Sequence, residues 1–305
     1  MSYVDEIGYL NNNYANSFKE WGEPITLGES RGWLLKRKIA GYNLYDAMGL
    51  YPLFCCKDWK KLSLDFQKLK NNLVSITLVT DPFGEYKITE LYKIFDFVKP
   101  FKKHYIVDLS CELNKFIYKG HKRKAKKALK DIEVEICTKN CVRYLDEFIE
   151  LYNVLIKRHK ITGIRRFSRK AFEYQLKTPG TILIRGVYDG RVVGMKLCII
   201  HEDVAYDHLM AISHEGYNMH ASYGITLREL EYLKNKVKWI DLGANAGINS
   251  NLNDGLNQFK RGWSTGKKMV YLCGKVLDEE KYDGITWRLK KSSVEYFPEY
   301  REGEF

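Results

Sequence analysis

GLNQFKRGWS, Gly255 to Ser264, sets a Phe-Lys-Arg step between two glycines. It follows WIDLGANAG, Trp239 to Gly247, which reads as a strand running into a loop. Lys260 is therefore a cation beside an aromatic ring, close to the end of a strand. A second candidate set lies in VAYDHLMAI, Val204 to Ile212. Alternation along a strand puts Tyr206, His208 and Met210 on one face and Asp207 on the other. Asp241 stands where the WIDL strand ends. These residue types offer a point charge for a developing anion, an imidazole that titrates near neutrality and a carboxylate that can orient an ammonium. Each also has a plainer reading. Lys260 can be a surface lysine beside a core phenylalanine, His208 a histidine bonded to a neighbour, and Asp241 the cap of a turn.

The elements that must position these residues are clearest in the second half. DIEVEIC, Asp131 to Cys137, alternates like a strand. Val142 to His159 carries Leu145, Phe148, Ile149, Tyr152 and Leu155 at helical spacing, and Ser168 is placed to cap a second helix. TILIRGVY and RVVGMKLCII flank Asp189-Gly190, a hairpin signal, and VAYDHLMAI completes a meander. A helix through ASYGITLRELEYLKNK, a strand VKWIDL, a loop or short helix, and a strand KKMVYLCGKVL follow. The first half is less regular. GWLLKRKIAG, LYPLFCC, LVSITLVTDPFG and HYIVDL read as strands, DWKKLSLDFQKLKNN and ITELYKIFDFVK as helices. The expectation is a mixed α/β (α+β) chain in two domains, 1–115 and 116–305, joined within Ser110 to Asp131.

That joint is strongly basic. NKFIYKGHKRKAKKALKD, Asn114 to Asp131, places Lys119, Arg123 and Lys127 along one helical face. Lys122, Lys126 and Lys130 form a neighbouring stripe. Like charges at this spacing repel, and a polyanion would relieve the repulsion; a solvated outer face is the plainer alternative. The chain's net charge of +12 points the same way, towards nucleic acid, phosphorylated carriers or acidic surfaces.

Other features exclude classes. No apolar run approaches the about 18 residues that cross a bilayer, and the first residues lack a signal-peptide pattern. Seven cysteines without a Cys-x-x-Cys pair fit reduced thiols, hence an expected cytoplasmic location. His208, His214 and His220 are equally spaced but share no face of a helix or strand, so no metal site is expected.

The element order from Asp131 to Leu277 resembles the GNAT acyltransferase fold, in which a mixed sheet splays between its fourth and fifth strands. YIVDLSCELNKFIYKGHKRKAKKALKDIEVEI, the DLG step at Asp241 to Gly243 and the GL-x-x-FK step at Gly255 to Lys260 resemble the FemABX family of aminoacyl-tRNA-dependent peptidyltransferases, which are tandem GNAT-fold proteins. No long helical-hairpin insertion is present, so the chain resembles a short member. The resemblance implies tandem GNAT-like domains and an N-acyltransferase. The acyl or aminoacyl group would pass from aminoacyl-tRNA, acyl-carrier protein or CoA to the amine of a peptide, sugar or cell-wall precursor. It implies that the Lys260 ammonium stabilises the oxyanion, that Phe259 walls the pocket and that Gly262 allows close backbone approach. Tyr206 and Arg261 would stand beside the substrate. His208 borders the cleft as a candidate base, and Asp241 either orients the amine or caps a turn. Lys122, Arg123, Lys126 and Lys130 would hold the carrier.

The donor is expected as a co-substrate, with no tightly bound cofactor. GNAT enzymes that use acetyl-CoA carry a Gln/Arg-x-x-Gly-x-Gly/Ala loop whose N–H groups cradle pyrophosphate. Here the place reads SHEGYNMHASYG, with Gly216 but no Gly-x-Gly, which favours a larger carrier. The rival reading is a noncatalytic nucleic-acid-binding protein acting through the lysine stripe. It gives GLNQFKRGWS no role. A scaffold that keeps the fold alone is a third possibility.

Overall fold

The computed structural model describes residues 6–245, 255–289 and 296–304. In chain order the elements begin with α1 Asn12–Asn16, β1 Glu23–Thr26, β2 Trp33–Lys38, β3 Tyr45–Gly49, α2 Leu62–Leu69, β4 Ser75–Val79, α3 Ile88–Ile94 and β5 Phe97–Asp108. Then come α4 Leu113–Phe116, α5 Lys119–Ala128, β6 Glu133–Cys137, α6 Leu145–His159, α7 Arg169–Lys177, β7 Thr181–Tyr188, β8 Arg191–His201 and β9 Val204–Ile212. The chain closes with α8 His214–Asn218, α9 Ala221–Leu233, β10 Trp239–Gly243, α10 Gly255–Trp263, β11 Gly266–Val276 and α11 Glu279–Arg288. Among the described residues, no helix is long and apolar enough to cross a membrane.

These elements form two compact units. Unit 1 comprises Met1–Asn13, Lys102–Thr162 and Arg166–Lys268; unit 2 comprises Tyr14–Phe101, Gly163–Arg165 and Met269–Phe305. The boundary expected between residues 115 and 116 lies inside the Lys102–Thr162 segment of unit 1. The chain's last strand explains the interleaving. β11 pairs antiparallel with β4, Leu272↔Val79 to Val276↔Ser75, so the C-terminal segment returns to the strands of unit 2.

In unit 1 the strands run in the order β5-β10-β9-β8-β7-β6. β10 and β9 are parallel and the other neighbours antiparallel. The expected meander is present, with the β7–β8 turn at Asp189-Gly190. Helices α5 and α9 cover one face around a core that includes Val107, Ala128, Ile184, Cys198, Ile225, Leu233, Ile240 and Trp263. On α6, Leu145, Phe148, Leu151 and Tyr152 are buried, with Asp146 and Glu147 in the first turn and Lys157 to His159 in the last, the charge order its dipole favours. The Ser168 hydroxyl accepts a hydrogen bond from the Ala171 N–H at 3.1 Å, capping α7 as its sequence implies.

In unit 2 the order is β1-β2-β3-β4-β11. Two expectations fail here. LYPLFCC forms no strand; only Phe54 bridges, to Thr80. The helix read through Lys99 stops at Ile94, where Phe95 turns extended and its N–H bonds Leu91. Phe54, Trp59, Phe66, Ile76, Leu91 and Cys273 pack in one core, and Val74, Tyr282, Ile285, Phe297 and Tyr300 in another beneath α11. A buried carboxylate fastens the C-terminal segment. Asp46 takes Arg301 Nε at 2.5 Å and Nη2 at 2.9 Å, with Arg37 Nε at 3.5 Å. Arg37 and Arg301 also share Glu304, each at 3.0 Å, so replacing Asp46 by Ala leaves them only that more exposed carboxylate. We expect a loss of about 3 kcal/mol in urea unfolding, the low end for removing one partner of a buried ion pair, with earlier proteolysis of the C-terminal segment. An unchanged midpoint would remove this role from Asp46.

Candidate functional site

The site lies in unit 1, where two parallel strands part. β10 pairs with β9 at Trp239↔Val204, Ile240↔Ala205 and Asp241↔Tyr206, and there the pairing ends while β9 continues to Ile212. On its other edge β9 stays paired with β8, but with a bulge. Leu209 faces Leu197 and Asp207 faces Cys198, so His208 is the extra residue. Bulges of this kind bend a strand and re-aim its side chains.

Lys260 enters this region from a helix. The stretch left open as loop or short helix is α10, with Asn257 and Trp263 buried beneath it. The Lys260 ammonium donates to the Ala244 carbonyl oxygen at 2.6 Å, just past the end of β10. Burial pushes its pKa down to about 8; the negative charges of Asp207 and Asp241 oppose that, and Lys196 and Lys102 add to it. A lysine that is only half charged near pH 8 is not the solvated surface cation of the plainer reading.

Asp241 is 2% exposed and fully engaged. Its carboxylate meets His104 Nδ1 at 2.8 Å and accepts from the Gly243 N–H at 2.8 Å. It thus caps the turn at the strand end. His208 lies beside Phe167, with ring centroids 5.5 Å apart, and Tyr9, at 6.3 Å. Burial pushes its imidazole down to about 3, so it stays neutral at physiological pH and is a weak base. The ordinary histidine range assumed from sequence does not apply in that aromatic surrounding. Tyr206 packs against Tyr9, centroids 5.1 Å apart.

The neighbours of Lys260 on α10 have structural partners. Phe259 lies 5.0 Å from the Tyr223 ring and 5.9 Å from the His121 ring, while its carbonyl oxygen lies 3.1 Å from His121 Nε2. A Cβ on Gly262 would stand 2.4 Å from the His121 ring. The close approach this glycine permits is therefore that of α5, whose Tyr118 N–H also donates to the Gly262 carbonyl at 2.9 Å. Arg261 is exposed.

On α5, His121, Ala125 and Ala128 are buried. Lys119, Lys122, Arg123, Lys126, Lys127 and Lys130 together border a surface groove of about 470 Å³, so the two expected stripes form one basic surface. The segment after β9 is not a phosphate cradle of the Gly-x-Gly type. α8 occupies it, with the Ser213 hydroxyl accepting from the Gly216 N–H at 3.0 Å. A Cβ on Gly216 would meet the Val193 carbonyl oxygen at 2.2 Å, so this glycine serves packing on β8.

One cluster was missed from sequence. Lys196 on β8 is 1% exposed, and its ammonium bonds both Asp207 Oδ2, at 2.5 Å, and Glu229 of α9. The Cys198 thiol donates to Glu229 Oε1 at 2.8 Å. Ligand atoms of Cys198, Asp207 and Glu229 lie within 4.8 Å of one another, and the Lys196 ammonium is the cation they already hold. The available signal was a lysine inside the apolar run VVGMKLCII, since a buried lysine needs carboxylate partners.

No family model and no curated protein sequence matches this chain. Solved structures do. FemX is 12% identical over 90% of this chain and 93% of its own, with a TM-score of 0.66. The C-terminal domain of a lysylphosphatidylglycerol synthetase from Agrobacterium fabrum is 14% identical over 88% of each chain, with a TM-score of 0.64. L-PGS from Bacillus licheniformis is 12% identical over 89% of this chain and 93% of its own, with a TM-score of 0.63. At such identities the likeness is one of fold. The chain shares its fold with FemX and with these two synthetase structures, in keeping with the resemblance its motifs carry.

The burial of Lys260 has a direct consequence. A ¹⁵N NMR titration of lysine side chains should show its amine titrating near pH 8, below the ordinary lysine value of about 10.4. A midpoint at the ordinary value would place the ammonium in water instead.

Proposed function

We propose that the protein is an N-acyltransferase that moves an acyl or aminoacyl group from a carrier to an amine, with Lys260 as the group that stabilises the transition state. The carrying observation is the half-buried lysine held to the Ala244 carbonyl where β9 and β10 part. Attack of an amine on an acyl carbonyl puts negative charge on the carbonyl oxygen. An ammonium already directed by α10 meets that charge without reorganisation, and burial strengthens the interaction. In the resting structure the ammonium bonds a backbone carbonyl oxygen; a substrate carbonyl would compete for the same donor. Phe259 and Arg261 flank it on α10, while Tyr206 and His208 stand on β9 where it leaves β10.

The basic groove along α5 supports a polyanionic carrier, with Lys122, Arg123, Lys126 and Lys130 as its contacts. Aminoacyl-tRNA, acyl-carrier protein and CoA all carry the needed negative charge. The packing role of Gly216 favours the larger two, since no Gly-x-Gly cradle awaits a pyrophosphate. The acceptor is an amine of a peptide, sugar or cell-wall precursor. No tightly bound cofactor enters this chemistry.

Incubation with charged tRNA, acyl-carrier protein and acyl-CoA pools, with mass spectrometry of added amines, tests the assignment. Lys260→Ala should lower kcat by roughly 10²–10³, the loss typical of one oxyanion donor, with the fold retained. Lys260→Arg should rescue poorly, because a planar fork does not place a point charge in the same spot. Full turnover by Lys260→Ala would end the proposal. The ammonium is the active form, so the rate should fall as pH rises through about 8. Lys260→Ala should lack that limb.

For the groove, Lys122→Ala/Lys126→Ala/Lys130→Ala should weaken donor binding and flatten its dependence on salt, because fewer counterions are released. Unchanged affinity and slope would leave α5 a solvated face.

A further inference from the structure

The transfer reaction leaves one task without an evident residue, the handling of the acceptor's protons. Lys260 serves the carbonyl oxygen, Asp241 is engaged by His104 and the Gly243 N–H, and His208 is a poor base in its aromatic setting. We propose that Asp207 is the catalytic carboxylate that receives the acceptor amine and takes its proton, and that Lys196 positions it; this rests on the N-acyltransferase reading above.

Geometry singles out Asp207. It is the residue of β9 immediately after the last one paired to β10, and immediately before the bulge at His208. Its strand edge therefore faces the gap that opens beyond Asp241. Within its cluster, Lys196 and Glu229 side chains are 2% and 0% exposed, whereas that of Asp207 is 15% exposed. It is the cluster's outlet. Its negative charge, like that of Asp241, opposes the lowering of the Lys260 pKa by burial.

The inner members fix the charge state. Burial, with Asp207's charge adding, pushes the Glu229 carboxyl up to about 8 against the opposing pull of Lys196. Glu229 thus carries its proton near neutrality, and Cys198 is held neutral by burial and by the neighbouring carboxylates. The single charge of Lys196 is then balanced by Asp207. A buried ammonium that holds one carboxylate in place, with a neutral carboxyl behind it, fixes that carboxylate with part of its surface exposed. Its exposed side can accept a hydrogen bond from an incoming amine and orient it towards the acyl carbon beside Lys260.

The protons balance. The acceptor arrives as an ammonium and gives one proton through Asp207 to bulk water. Its nitrogen then attacks the carbonyl carbon; the C–N bond forms, and the bond from that carbon to the carrier's oxygen or sulfur breaks. The second nitrogen proton passes to Asp207 and on to the departing oxygen or sulfur. No electrons are exchanged with any other group.

Two measurements on the whole protein test this. The first uses glycinamide as the amine and the ¹³C resonance of the Asp207 carboxylate, with no donor present. Wild type should show a saturable shift of that resonance, which its loss from Asp207→Asn identifies as belonging to Asp207. Absence of the shift in wild type overturns the proposal whether or not the protein is a transferase. The second uses whichever carrier is active and compares transfer to glycinamide with hydrolysis of the donor by water. Asp207→Asn should lose amide product at least 100-fold while hydrolysis persists, whereas Lys260→Ala should lose both. Equal loss of both in Asp207→Asn would make Asp207 structural and sink its role. A glycinamide shift with no transfer from any carrier would leave the amine site standing and defeat the transferase reading. Lys196→Met/Glu229→Gln keeps Asp207 but removes its clamp, and should raise KM for the amine tenfold with the donor KM unchanged. If Asp207→Asn does not fold, the charge-balanced Asp207→Asn/Lys196→Met replaces it in both assays.

Discussion

The parting of β9 from β10 after Tyr206↔Asp241 is the constraint on which the rest of unit 1 depends. Parallel neighbours in a sheet satisfy each other's backbone groups, and strands that separate must find other partners. The structure supplies them from side chains. Asp241 accepts the Gly243 N–H, and Lys260 takes the Ala244 carbonyl. The same substitutions that finish the sheet thereby collect charged groups at the gap. Charges already positioned for their partners are what preorganised electrostatics requires.

Charge balance then limits what the cleft can contain. Lys196 has no solvent and needs its carboxylates; Lys260 is buried enough to lose half its charge near pH 8. Two ammonium groups at one locality are sustained because Asp207 and Asp241 face them. Removing a carboxylate would act on both lysines at once, so these residues form a network and not a set of independent contributions.

What the sequence disclosed follows from how local each signal is. The meander, the Ser168 cap and α9 rest on alternation, one hydroxyl and helical spacing, all readable within a few residues, and the structure has them. The return of β11 to β4 joins residues almost two hundred apart in sequence, as Thr77 Oγ1 to the Cys273 carbonyl shows with a separation of 196. No local pattern encodes that. Lys196 and Glu229 are 33 apart, and without the partner a lysine in a strand reads as an outward-facing one. His208 was legible as a strand residue but not as a bulge, because the alternation that placed it assumes an unbroken ladder. Lys260 was singled out from the FK step; its burial and its helix came only with the fold, since two glycines at the ends of a nine-residue helix resemble a loop.

The contacts of Gly262 join the basic helix α5 to the helix that bears Lys260. α5 carries the basic groove on its outer side and His121 on its inner side. That ring packs on α10 where a side chain at 262 would block it, and bonds the Phe259 carbonyl one residue before Lys260. The Tyr118 N–H at the start of α5 bonds the Gly262 carbonyl two residues after Lys260. Hydrogen bonds on both sides of Lys260 therefore tie its turn of α10 to the helix that carries the basic groove. Packed helices joined in this way move as bodies, and hydrogen bonds tolerate little stretch. The glycine is what lets the basic surface of α5 and the Lys260 turn of α10 be built as one piece.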